Sequence, residues 1–130
     1  MKDLLELLKA KYGWLVNDYG FKISDKGKPG FFDNAFVVLN NDKLNFIFTK
    51  DRDEYCLYFK FSHNSKDYYF GSYDLFKLAD NSTEISHFFN DELFIREFKN
   101  SMSRIIKLFS NEALDNTILK IKELKLKNLA

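Results

Sequence analysis

Apolar residues recur every three or four positions at the start of the chain, where Leu4, Leu8, Tyr12, Leu15 and Tyr19 share one face of a helix. Asp3 and Glu6 have the spacing of a capping box and place the helix start there. Gly13 is tolerated inside it at about 1 kcal/mol relative to Ala. Gly20 is positioned to end the helix in the left-handed conformation, with Phe21 folding back on Val16.

The period then falls to two. A strand is expected over 21–24, followed by a loop at 26–30, where Pro29 and Gly30 break both ladder and helix. Three strands follow at 35–40, 44–50 and 55–62. Asn41-Asp42 forms the first tight turn and the segment from Asp51 to Glu54 the second. Facing Leu39 with Leu44, Val37 with Phe46 and Ala35 with Phe48 makes one sheet face apolar. Across the next turn Phe48 faces Leu57 and Phe46 faces Phe59. The opposite face mixes Asn45, Thr49, Lys60 and Ser62 with Phe36, Val38, Ile47 and Tyr58. Such a half-apolar face is either covered by a helix or kept for a partner.

A polar turn at 63–67 leads to a last short strand at 68–70 and a short helix from Tyr73 to Leu78. A longer helix is capped by Asn90, with Asp91 and Glu92 at its positive end and Phe89 and Phe94 as a hydrophobic staple. Its buried stripe is Phe94, Phe98, Met102, Ile105 and Phe109. Ser110 or Asn111 caps a final helix with the stripe Leu114, Ile118, Ile121 and Leu124. No repeat or linker interrupts the sequence. The reading is one α+β domain over 1–130, with an N-terminal helix, an antiparallel meander of four to five strands and C-terminal helices.

Composition adds one constraint. Fifteen Phe, seven Tyr and one Trp are more than a domain of 130 residues readily hides, so some aromatics are expected at the surface, where they favour a protein partner. A net charge of +1 gives no general attraction to nucleic acid or anionic membrane. Cys56 is the single cysteine, which excludes an internal disulfide and fits a reducing compartment. Leu4 to Leu8 is interrupted by Glu6 and followed by Lys9 and Lys11, unlike a signal peptide, and no apolar run is long enough to span a bilayer. The expected location is the cytoplasm.

Catalytic and metal chemistry find little support. His63, His87 and Cys56 lack ligand spacing, so neither metal nor cofactor is expected. Cys56 has no base that the sequence identifies. Asp51, Asp53 and Glu54 offer paired carboxylates, but a solvated hairpin tip keeps their acidity ordinary. Gly27-Lys28-Pro29-Gly30 lacks the strand-loop-helix order of a phosphate loop. Phe46, Phe48 and Phe59 read as core rather than base-stacking platforms, and Lys120, Lys122, Lys125 and Lys127 as a solvated helix face. Nucleic acid is therefore not the expected partner.

The order of several short motifs is informative. A helix ends in Tyr19-Gly20-Phe21, and Phe32-Asp33-Asn34 leads into Phe36-Val37-Val38-Leu39. Asp51-Arg52 lies between strands, and Tyr73-Asp74-Leu75 opens the following helix. Over roughly residues 4–79 this order resembles immunity proteins of bacterial toxin systems, including those of contact-dependent growth inhibition. The resemblance implies a non-catalytic cytoplasmic protein that binds a cognate toxin domain, a nuclease being one candidate, and blocks its active site. On that reading Asp51, Arg52, Asp53 and Glu54 at the hairpin tip, with Asp33, are the candidate partner contacts. The competing readings are a small enzyme or ligand-binding domain whose site forms only in the fold, and a subunit that uses its half-apolar sheet face as a permanent contact.

Overall fold

A computed structural model describes residues 1–28, 34–80 and 88–129. Helix α1 (Lys2–Tyr19) is followed by strands β1 (Lys22–Gly27), β2 (Asn34–Asn40), β3 (Leu44–Asp51), β4 (Glu54–His63) and β5 (Lys66–Gly71). Helices α2 (Ser72–Asp80), α3 (Glu92–Leu108) and α4 (Leu114–Leu129) complete the α+β domain. The strands form one antiparallel sheet in chain order, so every sheet connection is a local reversal.

The helical face of α1 is the expected one: Leu4, Leu8, Tyr12 and Leu15 are buried. Its start is not. Met1 is the N-cap and no side chain caps the helix, so Asp3 lies in the first turn, where its charge complements the dipole. Gly20 ends the helix at φ 72°, and the N–H groups of Gly20 and Phe21 bond the carbonyls of Val16 and Leu15. These two reversed bonds satisfy carbonyls that the helix leaves without partners. The Phe21 ring lies 5.1 Å from that of Phe46, while Val16 stays 46% exposed. Strand β1 runs past the expected end at Ser24 to Gly27, with a bulge between Ile23 and Asp25. Pro29 and Gly30 lie outside the described residues.

The β3–β4 pairs are those expected, Phe46 with Phe59 and Phe48 with Leu57. The β2–β3 register is shifted by two residues: Leu39 faces Phe46, Val37 faces Phe48 and Ala35 faces Lys50. The reason is the connection. Asn41 does not sit in a two-residue turn; its side chain accepts from the N–H groups of Lys43 and Leu44, and its own N–H bonds the Leu44 carbonyl. That Asx turn takes up two more residues than the tight alternative. A shift of two leaves every side chain on its original face, so the hydrophobic pattern cannot detect it. Lys50, on the inward face with Phe46 and Phe48, now pairs with Ala35 at the sheet margin, with its amine 6.0 Å from the Tyr55 ring centre.

All four helices bury their apolar stripes against one side of the sheet. Helix α3 supplies the expected Phe94, Phe98, Met102 and Ile105, and Phe109 follows at its C-cap. Its N-cap is Asp91 rather than Asn90: the Asp91 carboxylate accepts from the Leu93 N–H at 2.9 Å. Helix α4 begins at Leu114, because Ser110 to Ala113 form a turn in which the Ser110 carbonyl accepts from both Ala113 and Leu114. Ile118 and Ile121 are buried, and the Thr117 hydroxyl donates to the Leu108 carbonyl at 2.6 Å, tying α4 to the end of α3.

One polar link runs through this core. The Tyr12 hydroxyl donates to the Phe89 carbonyl at 2.6 Å, and the Phe89 N–H donates to the Tyr55 carbonyl at 2.9 Å. Strand β5 pairs with β4 only from Tyr58 onward, so Phe89 satisfies a strand edge that β5 does not reach. Burial, and secondarily Glu92, pushes the Tyr12 hydroxyl well above its ordinary acidity range.

Two stability predictions follow from these contacts. Tyr12→Phe strands the Phe89 carbonyl and should cost about 1–2 kcal/mol in urea unfolding at pH 7. Because the folded-state pKa lies above the unfolded value of about 10, the hydroxyl's contribution is complete below that pH and is lost as pH rises beyond it. Unfolding free energies at pH 7 and 10.5 should therefore show a shallower alkaline decline in the variant. In the β4–β5 turn, Asn64 and Ser65 both have positive φ, 51° and 62°, the pattern of a type I′ turn. Ser65→Gly should relieve the left-handed strain and stabilise the fold by roughly 0.5–1 kcal/mol, read as a higher urea midpoint.

Candidate functional site

The sheet face turned away from the helices is the site that the register builds. Successive rows run across the strands. Asn34, Asp51 and Glu54 form the first, and Phe36, Thr49 and Cys56 the second, extended by Gly27. Val38, Ile47, Tyr58 and Gly71 form the third, and Asn40, Asn45, Lys60 and Tyr69 the fourth. The middle of the face is therefore apolar and aromatic, with an acidic row above it and an amide and lysine row below. Tyr58 and Tyr69 are 46% and 52% exposed, and Phe36, Val38, Ile47 and Cys56 are half-buried. Among the described residues no helix covers this band.

Neighbours hold the band in place. A Cβ at Gly27 would lie 2.6 Å from Cε1 of Phe36, so the ring covers the bare backbone of the adjacent strand. The Thr49 hydroxyl donates to the Cys56 carbonyl at 3.1 Å. Lys60 lies 5.4 Å from the Tyr69 ring centre and 3.8 Å from an Asp67 carboxylate oxygen. Below, Asn40 donates to the Asn45 side-chain oxygen at 2.8 Å.

The expected tip residues meet the upper edge of this band. Asp51 and Glu54 close the β3–β4 turn as a cross-strand pair, and Arg52 takes φ 58° at the first turn position. Asp51, Arg52, Asp53, Glu54 and Asn34 line a hollow of about 530 Å³. A second hollow of about 430 Å³ shares Asn34, Asp51 and Glu54 with it and continues over Phe36, Ile47, Cys56 and Tyr58. Tip and band are thus one continuous surface. The Oδ1 atom of Asn34 is buried in this neighbourhood without a hydrogen-bond partner among the described residues. Asp33, the fifth expected contact, lies outside the described residues, as does His87.

The tip also acts on the band electrostatically. Burial pushes the Cys56 thiol up, and the Glu54 and Asp51 carboxylates push it further, against a hydrogen bond with Tyr58 that pulls it down. Burial likewise raises the Tyr58 hydroxyl, with the nearby Cys56 and Glu54 adding to it. A thiol shifted in this direction is a poor nucleophile at neutral pH. His63 cannot serve as its base, because it stands seven residues along β4, about 23 Å away, beside Asp115 at 3.8 Å. No three His, Cys, Asp or Glu side chains converge among the described residues, and no described helix is long and apolar enough to cross a membrane. What the arrangement presents is an aromatic centre with a charged rim. The sequence pattern marked Phe36, Val38, Ile47 and Tyr58 as outward-facing, and the same alternation sets Asn34 and Cys56 beside them; Tyr69 joins only through the β4–β5 pairing.

The coupling between tip and band can be measured. Glu54→Gln removes a charge that disfavours the thiolate, so alkylation of Cys56 by iodoacetamide at pH 8 should be faster in this variant than in the parent chain, with the folded state verified by circular dichroism. The chain matches no family model, no curated protein and no solved structure.

Proposed function

We propose that this chain is an immunity protein, which binds a cognate bacterial toxin domain in the cytoplasm and blocks its active site without performing chemistry of its own. The observation that carries the reading is the uncovered apolar band running into the acidic β3–β4 tip. The order of short motifs between α1 and α2 supports it independently.

The division of labour follows from the physics of interfaces. A surface of standard size buries about 800 Å² on each partner. Most of the binding energy comes from a few desolvated aromatic or Arg anchors, and Tyr58, Tyr69 and Phe36 have that character. Rim charges chiefly govern encounter and exclude wrong partners. Asp51, Asp53 and Glu54 outnumber Arg52 at the tip, so the complementary surface is basic, as in the substrate channel of a nuclease.

Co-expression with a toxin domain encoded by a neighbouring gene tests the proposal. Cells producing the intact protein should survive the toxin, and the purified pair should form a stable complex. Tyr58→Ala should weaken that complex by about 10- to 100-fold, mainly through faster dissociation. Asp53→Lys should mainly slow association, most strongly at low salt. An intact chain that neither protects nor binds would remove the proposal.

A further inference from the structure

A second surface lies on the opposite side of the molecule. Helix α1 packs over β2, so the edge strand β1 projects beyond it, with its inner face uncovered among the described residues. The result is an apolar trough of about 1010 Å³ between α1 and β1. Its buried floor is Leu8, Tyr12, Phe21 and Leu39. Val16 and Ile23 line it from the helix and the strand, and each leaves about half its surface in water, at 46% and 51% exposure. The lining runs from Lys2 to Val16 along the helix, a length of about 21 Å. The rim is cationic: Lys2, Lys9 and Lys26 stand there against the carboxylate of Glu6, whereas Lys22, paired with Asn40, turns its side chain to the other sheet face. Ion pairs between described residues use other lysines, Lys11 and Lys60.

We infer that this trough binds a long-chain fatty acid, with the alkyl chain along α1 and the carboxylate held by the rim lysines. Apolar area is what the floor and walls offer, and positive charge is what the rim offers, so an anionic amphiphile satisfies both. An extended peptide fits less well. The bulge between Ile23 and Asp25 interrupts the row of backbone groups that strand addition needs, and Lys22, Asp25 and Lys26 crowd the same edge. A fatty acid needs no backbone register. The inference does not depend on toxin binding, because the aromatic band and the acidic tip lie on the other sheet face.

The test is titration of the full chain with tetradecanoate below its micellar concentration, followed by calorimetry and by amide chemical shifts. Saturable one-to-one binding is expected, with shifts confined to α1 and β1. Shortening the ligand by two carbons should weaken binding by about tenfold. Methyl tetradecanoate should bind several-fold more weakly than the acid. The double variant Lys9→Glu/Lys26→Glu should lose about three- to fivefold in affinity, in keeping with exposed charge pairs. Ile23→Asp alters an exposed side chain, so the protein should fold with an unchanged urea midpoint yet lose binding. Absence of saturable binding, equal affinity for acid and ester, or shifts centred on Phe36 and Tyr58 would each overturn the inference.

Discussion

The aromatic layer between the sheet and the helices is the contact on which the remaining architecture rests. Phe46 is fully buried within it, with ring centres 5.1 Å from Phe21, Phe59 and Phe98 alike. Those four residues come from the β1 entry, two central strands and α3. Phe98 in turn meets Tyr12, Trp14 and Phe76, so a single ring joins α1, α2 and α3. Large flat side chains bury much area for each backbone position, and edge-to-face contacts add about 0.5–1.5 kcal/mol per pair beyond area. Side chains of this size let a single sheet layer anchor the helices packed on it.

Concentrating the aromatics on one side has a consequence on the other. The inward positions of β2, β3 and β4 take the helices, and the alternate positions receive none among the described residues. Their apolar members are shielded only by one another and by cross-strand neighbours such as Gly27 beneath Phe36. The placement of α1 over β2 likewise leaves β1 without a covering element on its inner face among the described residues. Among the described residues, both surfaces follow from where the helices lie: they pack on one side of the sheet, and α1 sits over β2 rather than over β1. The surfaces differ in chemistry. One joins aromatic rings to carboxylates, and the other joins aliphatic side chains to amines.

Much of this was legible in the pattern of residues, and the failures share a cause. Period and parity depend on which side chains avoid water, so the buried stripe of α3 and the inward residues of β2, β3 and β4 could be read directly. Register and caps depend on individual hydrogen bonds. Asn41 shifted the β2–β3 pairing by two because its side chain accepts two backbone N–H groups, a choice invisible to hydrophobicity. Asp91 displaced Asn90 as cap although both residue types suit the position. The candidate site shows the same division. The acidic tip was visible as a run of charges, whereas the union of the tip with Cys56, Tyr58 and Asn34 needed the strand register. Tyr69 needed β5, whose pairing with β4 brings it beside Lys60.

The half-buried state of the band bears on what it can do. A freely rotating aromatic side chain loses about 0.5–1.5 kcal/mol of conformational freedom when a partner fixes it. Phe36 is confined over Gly27, Lys60 lies over the Tyr69 ring, and Tyr58 is paired with Cys56. Each has therefore given up part of that freedom during folding, before any partner arrives. The charged tip differs: its four residues are exposed, and Arg52 holds a positive φ at the turn. A rigid apolar centre beside a solvated charged edge separates the determinants of lifetime from those of encounter. On the proposed function, substitutions at the tip would change which partner approaches without disturbing the surface that retains it, so that specificity could change while the fold stays fixed.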